Sequence, residues 1–103
     1  MTADLDALID ELTVDAYGED EQLTGFLTGA EDALRSPESA TIVGVTVQVV
    51  AVKEGPDIQR CLIAMCEREG VRQDVSLADL RFAPDSRLGL VAAAYRRWLG
   101  CER

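Results

Sequence analysis

The sequence predicts an α+β fold: N-terminal helices, a three-stranded antiparallel β-meander forming a small open barrel-like sheet, and a C-terminal helix. Two observations predict it. Apolar residues recur at helical spacing up to Leu34, and again from Leu88 to Leu99. Between these stretches, from Thr41 onward, the apolar period shortens to about 2. The length of 103 residues is close to a common domain size, so a single domain is expected over 1–103. Its acidic helical part covers about 1–37, its β-meander about 41–76 and its last helix about 86–99.

The first helix is expected over residues 3–12, where Leu5, Leu8, Ile9 and Leu12 form one stripe and Thr2 offers an N-cap. The stretch Thr13–Gly18 interrupts the pattern. A second stripe of Leu23, Phe26, Leu27, Ala30 and Leu34 places a helix at 19–35. Gly25 and Gly29 weaken it by about 1 kcal/mol each relative to alanine. Ser36-Pro37 ends it, because the residue before proline leaves the α region.

Val43, Val45, Val47 and Val49 then alternate with Gly44, Thr46 and Gln48, the pattern of a half-buried strand. Glu54-Gly55-Pro56-Asp57 is a turn cluster. A second strand is expected over Gln59–Arg68, with Leu62, Ala64 and Cys66 on one face and Cys61, Ile63 and Met65 on the other. Glu69-Gly70 reads as a tight hairpin turn into a third strand, Val71–Val75. Ser76–Leu80 reads as one helical turn. The last helix opens at Pro84-Asp85-Ser86 with Asp85 as N-cap, and Gly100 suits its C′ position. Its stripe is Leu88, Val91, Ala92, Tyr95, Trp98 and Leu99.

Charge narrows the function classes. Nineteen acidic side chains face ten basic ones, for a net of −9 with no histidine. Residues 1–40 hold eleven carboxylates against Arg35 alone, a net of −10, while residues 41–103 come to +1. Phosphate recognition needs a positive patch, so nucleic acid is not an expected partner. Without histidine, Ser–His, Cys–His and His-ligated zinc chemistry are absent together. With no Gly-rich phosphate loop or nucleophile motif either, the chain reads as a non-enzyme. No apolar run reaches the ~20 residues of a membrane span, and the N-terminus has no signal-peptide pattern. Cys61, Cys66 and Cys101 are an odd set, read as reduced, buried thiols of a cytoplasmic protein.

The densest charge is Asp15-Ala16-Tyr17-Gly18-Glu19-Asp20-Glu21, with four carboxylates in seven residues at a helix start. Calcium takes six to eight oxygen ligands in flexible geometry, and such a segment can supply several. The spacing is not that of an EF-hand. Counted from Asp15, the positions that need glycine and the closing glutamate are Asp20 and Phe26. A second reading needs no metal: the helix macrodipole favours acids in a first turn, by about 0.3–1 kcal/mol each. Asp4, Asp6, Asp10 and Glu11 read as a solvated helix face.

The run Val14-Asp-Ala-Tyr-Gly-Glu-Asp-Glu-Gln22, then Gly25-Phe26, then Glu31-Asp32, Leu34 and Pro37, resembles the opening motif of the CcbP-type calcium-binding protein family. That motif is roughly V-D-A-Y-G-x-E-E-Q, then G-W, then L-E-E-x-L-x-F-P-F. A β-meander, an L-x-x-L turn (Leu77, Leu80) and a terminal helix with aromatics three apart (Tyr95, Trp98) extend the resemblance over about 14–100. It implies a small cytoplasmic bacterial protein that binds calcium through surface carboxylates, as a buffer or sensor. The matching acids are Asp15, Asp20, Glu21, Glu31 and Asp32, with Glu19 at a variable position. Tyr17 matches as a packing residue. The chain departs from the motif at Phe26, at Ser36-Pro37-Glu38, in the shortened Glu54–Asp57 loop and at Ala94, which places a second calcium site in doubt. Asp20 and Glu31 are separated by about 16 Å of helical rise, so they would serve different ions. Glu31 and Asp32 would then need partners such as Glu54 or Asp57. The alternative function is an acidic protein-interaction module without metal, steering a basic protein partner.

Overall fold

The computed structural model describes residues 5–55 and 62–101. Two helices come first, α1 (Leu5–Leu12) and α2 (Glu19–Ala33). Four strands follow: β1 (Glu38–Ile42), β2 (Val45–Glu54), β3 (Leu62–Arg68) and β4 (Val71–Ser76). A 3-10 turn, Leu77–Asp79, leads towards the last helix, α3 (Arg87–Cys101). Thr2, Pro56, Asp57 and the 59–61 start of the expected second strand lie outside the described residues.

The sheet is an open antiparallel meander in the order β1-β2-β3-β4, so it has four strands where the sequence predicts three. The added strand comes from a hairpin hidden in the valine run. Ile42 pairs with Val45, leaving Val43-Gly44 as a two-residue turn. Both turn residues have positive φ, 49° and 77°. This is the backbone that right-twisted hairpins require, and glycine adopts it freely. A β-branched residue rarely does. The period of two runs straight through the turn and conceals it. The second hairpin, at Glu69-Gly70, repeats the geometry with φ 54° and 81°, as its sequence indicates.

A bulge between Val49 and Ala51 shifts the β2–β3 register. Val49 and Val52, three apart, therefore both reach the core, beside Leu62, Ala64 and Cys66 of β3. The other β3 face carries the half-buried Ile63 and Met65, as the alternation predicts. The helices cover the core face. α3 packs on α1 and α2, and α2 packs on β2. Burial raises the thiol pKa of Cys66, and the nearby Asp74 charge raises it further, so the free thiol stays protonated and inert.

Three helix boundaries differ from expectation: α2 ends at Ala33 rather than at 35, with Leu34 as its C-cap, and both ends of α3 are shifted. Ser86, rather than Asp85, caps α3: its Oγ accepts the Gly89 N–H at 2.9 Å. Asp85 is one residue too early to reach that donor. Gly100 lies within α3, which runs on to Cys101. The glycines of α2 are also explained. A Cβ at Gly25 would meet the Leu12 carbonyl oxygen at 2.1 Å, and one at Gly29 would meet Leu12 Cδ2 at 2.6 Å. Their flat surface is where the end of α1 docks.

Candidate metal centre

The candidate centre joins the loop after α1 to the first turn of α2. Thr13 continues the helical bonding, with its N–H and hydroxyl both donating to the Ile9 carbonyl, at 2.9 and 2.7 Å. The chain then reverses through Asp15, which takes a left-handed conformation at φ 64°. Aspartate tolerates this region better than most residues. Gly18 is the α2 N-cap and has no side chain with which to cap it. Glu21, three residues on, returns over the loop, and its Oε1 accepts the Tyr17 N–H at 2.9 Å. The arrangement is close to a capping box, reaching one residue further back.

Asp15, Glu19, Asp20 and Glu21 are all exposed along this junction. Glu31 and Asp32 sit exposed at the opposite end of α2. Asp32 lines a hollow there with Glu11, Arg35 and Arg87, so cationic side chains already neighbour it. The six carboxylates thus fall at two ends of one helix. All of them are hard oxygen donors, the type calcium prefers. Among the described residues, no group of three or more His, Cys, Asp or Glu is placed to hold a metal ion. Tyr17 is not a packing residue: it is 89% exposed, and Val14 beside it is 69% exposed. The loop turns both outward because its own backbone bonds, rather than an apolar contact, set its path.

The α1 acids do more than solvate a helix face. Asp6 accepts two bonds from Arg97 of α3, at 2.6 and 3.2 Å. This hydrogen-bonded guanidinium holds the Asp6 carboxyl below the usual carboxylate range. Glu11 meets Arg87, at the start of α3, at 3.6 Å. These pairs tie α1 antiparallel to α3, and their exposure limits their energetic worth.

No protein-family model matches the sequence, and no curated protein matches it. Solved structures do. The chain superposes on the crystal structure of Anabaena CcbP with a TM-score of 0.74 and 19% identity, over 96% of this chain and 93% of that one. The chain has the CcbP fold. It also superposes on a calcium-binding protein solved in its calcium-binding form, with a TM-score of 0.71 and 18% identity, over 98% of both chains.

In this chain the CcbP fold rests on residues from both ends of the resemblance. Phe26 of α2 packs against Trp98 and Tyr95 of α3, with ring centroids 5.2 and 5.8 Å away. Gln22, the last residue of the acidic run, accepts the Trp98 indole N–H through Oε1 at 3.0 Å. Tyr95 is fully buried, and its hydroxyl accepts the Leu62 N–H at 2.9 Å, where β3 begins. The helix that starts in the carboxylate segment is therefore fixed to α3, and α3 to the sheet. The aromatic pair was visible in the sequence; the Gln22 contact was not, because nothing local marks a glutamine as an acceptor for an indole 76 residues away.

Proposed function

We propose that the protein binds calcium through surface carboxylates, without an EF-hand, as a buffer or sensor. The observation that carries this reading is the likeness, over nearly the whole chain, to a calcium-binding protein in its calcium-binding form. The chemistry of the α2 junction supports it. Asp15, Asp20 and Glu21 would have to draw together around the ion, with Glu19 beside them, and carbonyls and water would complete the six to eight oxygens. Glu31 and Asp32, at the other end of α2, would need further acids from elsewhere in the chain to hold a second ion. The cation would relieve repulsion among the junction acids and stiffen the loop before α2.

Micromolar affinity corresponds to about 8 kcal/mol of binding free energy. Calcium at a hundred times its Kd would stabilise the fold by about 2.7 kcal/mol. Melting curves with calcium and with chelator test this directly. The wild type should melt higher in calcium, and Asp15→Asn with Glu21→Gln should remove that gain. A double variant that still gains stability from calcium would move the centre elsewhere.

A second reading is a binding surface for a basic protein, favoured by the exposure of Val14 and Tyr17 among the junction acids. Titration calorimetry separates the two. Heat with a stoichiometry near one or two ions supports calcium; silence up to millimolar calcium supports the protein partner.

A further inference from the structure

The two edges of the sheet differ. The outer edge of β1 is occupied near its end, where Thr41 and Arg81 exchange backbone hydrogen bonds of 2.8 and 2.9 Å. The outer edge of β4 pairs with no strand among the described residues. Arg68 opposite Val71 closes the second hairpin, so these two residues form a hydrogen-bonded pair. Bonding alternates from there. Val71, Gln73 and Val75 direct their backbone groups at β3, while Arg72, Asp74 and Ser76 direct theirs outward.

An antiparallel partner must therefore pair with Arg72 and Asp74. If it is a second copy of β4 related by a two-fold axis, few registers exist. An axis at Arg72 sets two arginines opposite each other, and an axis at Asp74 sets two aspartates opposite each other. Like charges in those positions repel. An axis at Gln73 sets Arg72 opposite Asp74 of the second copy, twice. It also sets Val71 opposite Val75 on the other face. That face is an apolar groove of about 530 Å³, lined by Val45, Val47, Val71 and Val75 among others. On the charged face, Lys53 already meets Asp74 at 2.9 Å, and Glu67 meets Arg72 at 3.7 Å. The joined strands would continue these pairs into one ladder of alternating sign.

We infer that β4 pairs antiparallel with β4 of a second copy about a two-fold axis at Gln73, giving a continuous eight-stranded sheet. Edge strands commonly carry charge to block such pairing. Opposite charges two residues apart do not block a copy in this register; they select it. The contact also joins the near-neutral portions of two chains, since the excess of acid lies in residues 1–40. One strand pair is a small interface, so the dimer should be weak.

Sedimentation equilibrium of the full chain at physiological salt, where the net charge of −9 per chain is screened, tests the inference over a wide concentration range. Wild type should rise towards twice the monomer mass. Arg72→Asp alone and Asp74→Arg alone should each weaken association roughly tenfold or more. An equal mixture of the two single variants should associate, and the double exchange R72D/D74R should restore self-association. In wild type, hydrogen exchange at the Arg72 and Asp74 amides should slow as concentration rises, a readout that needs no variant. A wild type that stays monomeric, single variants that associate like wild type, or outward amides indifferent to concentration would each overturn the inference.

Discussion

The inner side of α2 buries Leu23, Phe26 and Ala30, whereas the loop that leads into the helix leaves Val14, Asp15 and Tyr17 in solvent. The inner side is held by aromatic packing, by the docking of α1 and by the Gln22 to Trp98 bond. The loop is held by backbone bonds and by the Glu21 carboxylate. The comparison teaches that stability and candidate chemistry occupy separate parts of one short segment. Under the proposed function, the junction acids would exchange partners for a cation while the helix behind them stays fixed.

The sharpest way to break this contrast is Phe26→Ala. Phe26 is fully buried between Tyr95 and Trp98, so its truncation should lower stability by about 3–5 kcal/mol in urea titration. A loss below about 1 kcal/mol would mean that the aromatic cluster does not hold α2. Gly25→Ala comes next. Alanine is the better helix former by about 1 kcal/mol, yet its Cβ would strike the Leu12 carbonyl. Backbone cannot swing aside, so a net loss of about 1–3 kcal/mol is expected. Gly29→Ala meets only the tip of the Leu12 side chain, which can rotate, and should be close to neutral. Equal effects from the two glycines would contradict the docking geometry.

Periodicity made most of these elements legible before any coordinates. The stripes of α1, α2 and α3, the faces of β3 and the Glu69-Gly70 hairpin all follow from spacing and turn chemistry. What escaped has physical reasons. Val43-Gly44 lacks the usual asparagine or aspartate of a tight hairpin, and the valines on both sides keep their alternation through the turn. The Val49–Ala51 bulge breaks the period without any marker residue. At the candidate centre, the sequence shows where the carboxylates are dense but not where they point. Tyr17 turns into solvent, and Glu21, itself exposed, folds back over the loop to accept a backbone N–H.

Tyr95→Phe sharpens the inner side at a single atom. The ring and its packing remain, while the Leu62 N–H loses its buried acceptor. An unsatisfied buried donor is worth about 1–3 kcal/mol. Thermal unfolding should show that loss, and exchange at the Leu62 amide should speed up selectively. If the amide stays protected, another acceptor replaces the hydroxyl and α3 is not bonded to β3 through it.

Glu21→Gln has the smallest expected effect and bears most on the outer side. The amide oxygen of glutamine can still accept the Tyr17 N–H, so the substitution removes charge and little else. In chelator, losing an acid from the first turn of α2 should lower stability by about 0.3–1 kcal/mol, and added salt should shrink the difference. In calcium the gap should widen, because the wild type gains from binding and the variant gives up a ligand. The observed role of Glu21 and its proposed one thus separate by condition: capping acts with or without the ion, and the proposed ligation would act only with it. A gap that is identical in calcium and in chelator would leave Glu21 as a helix cap alone.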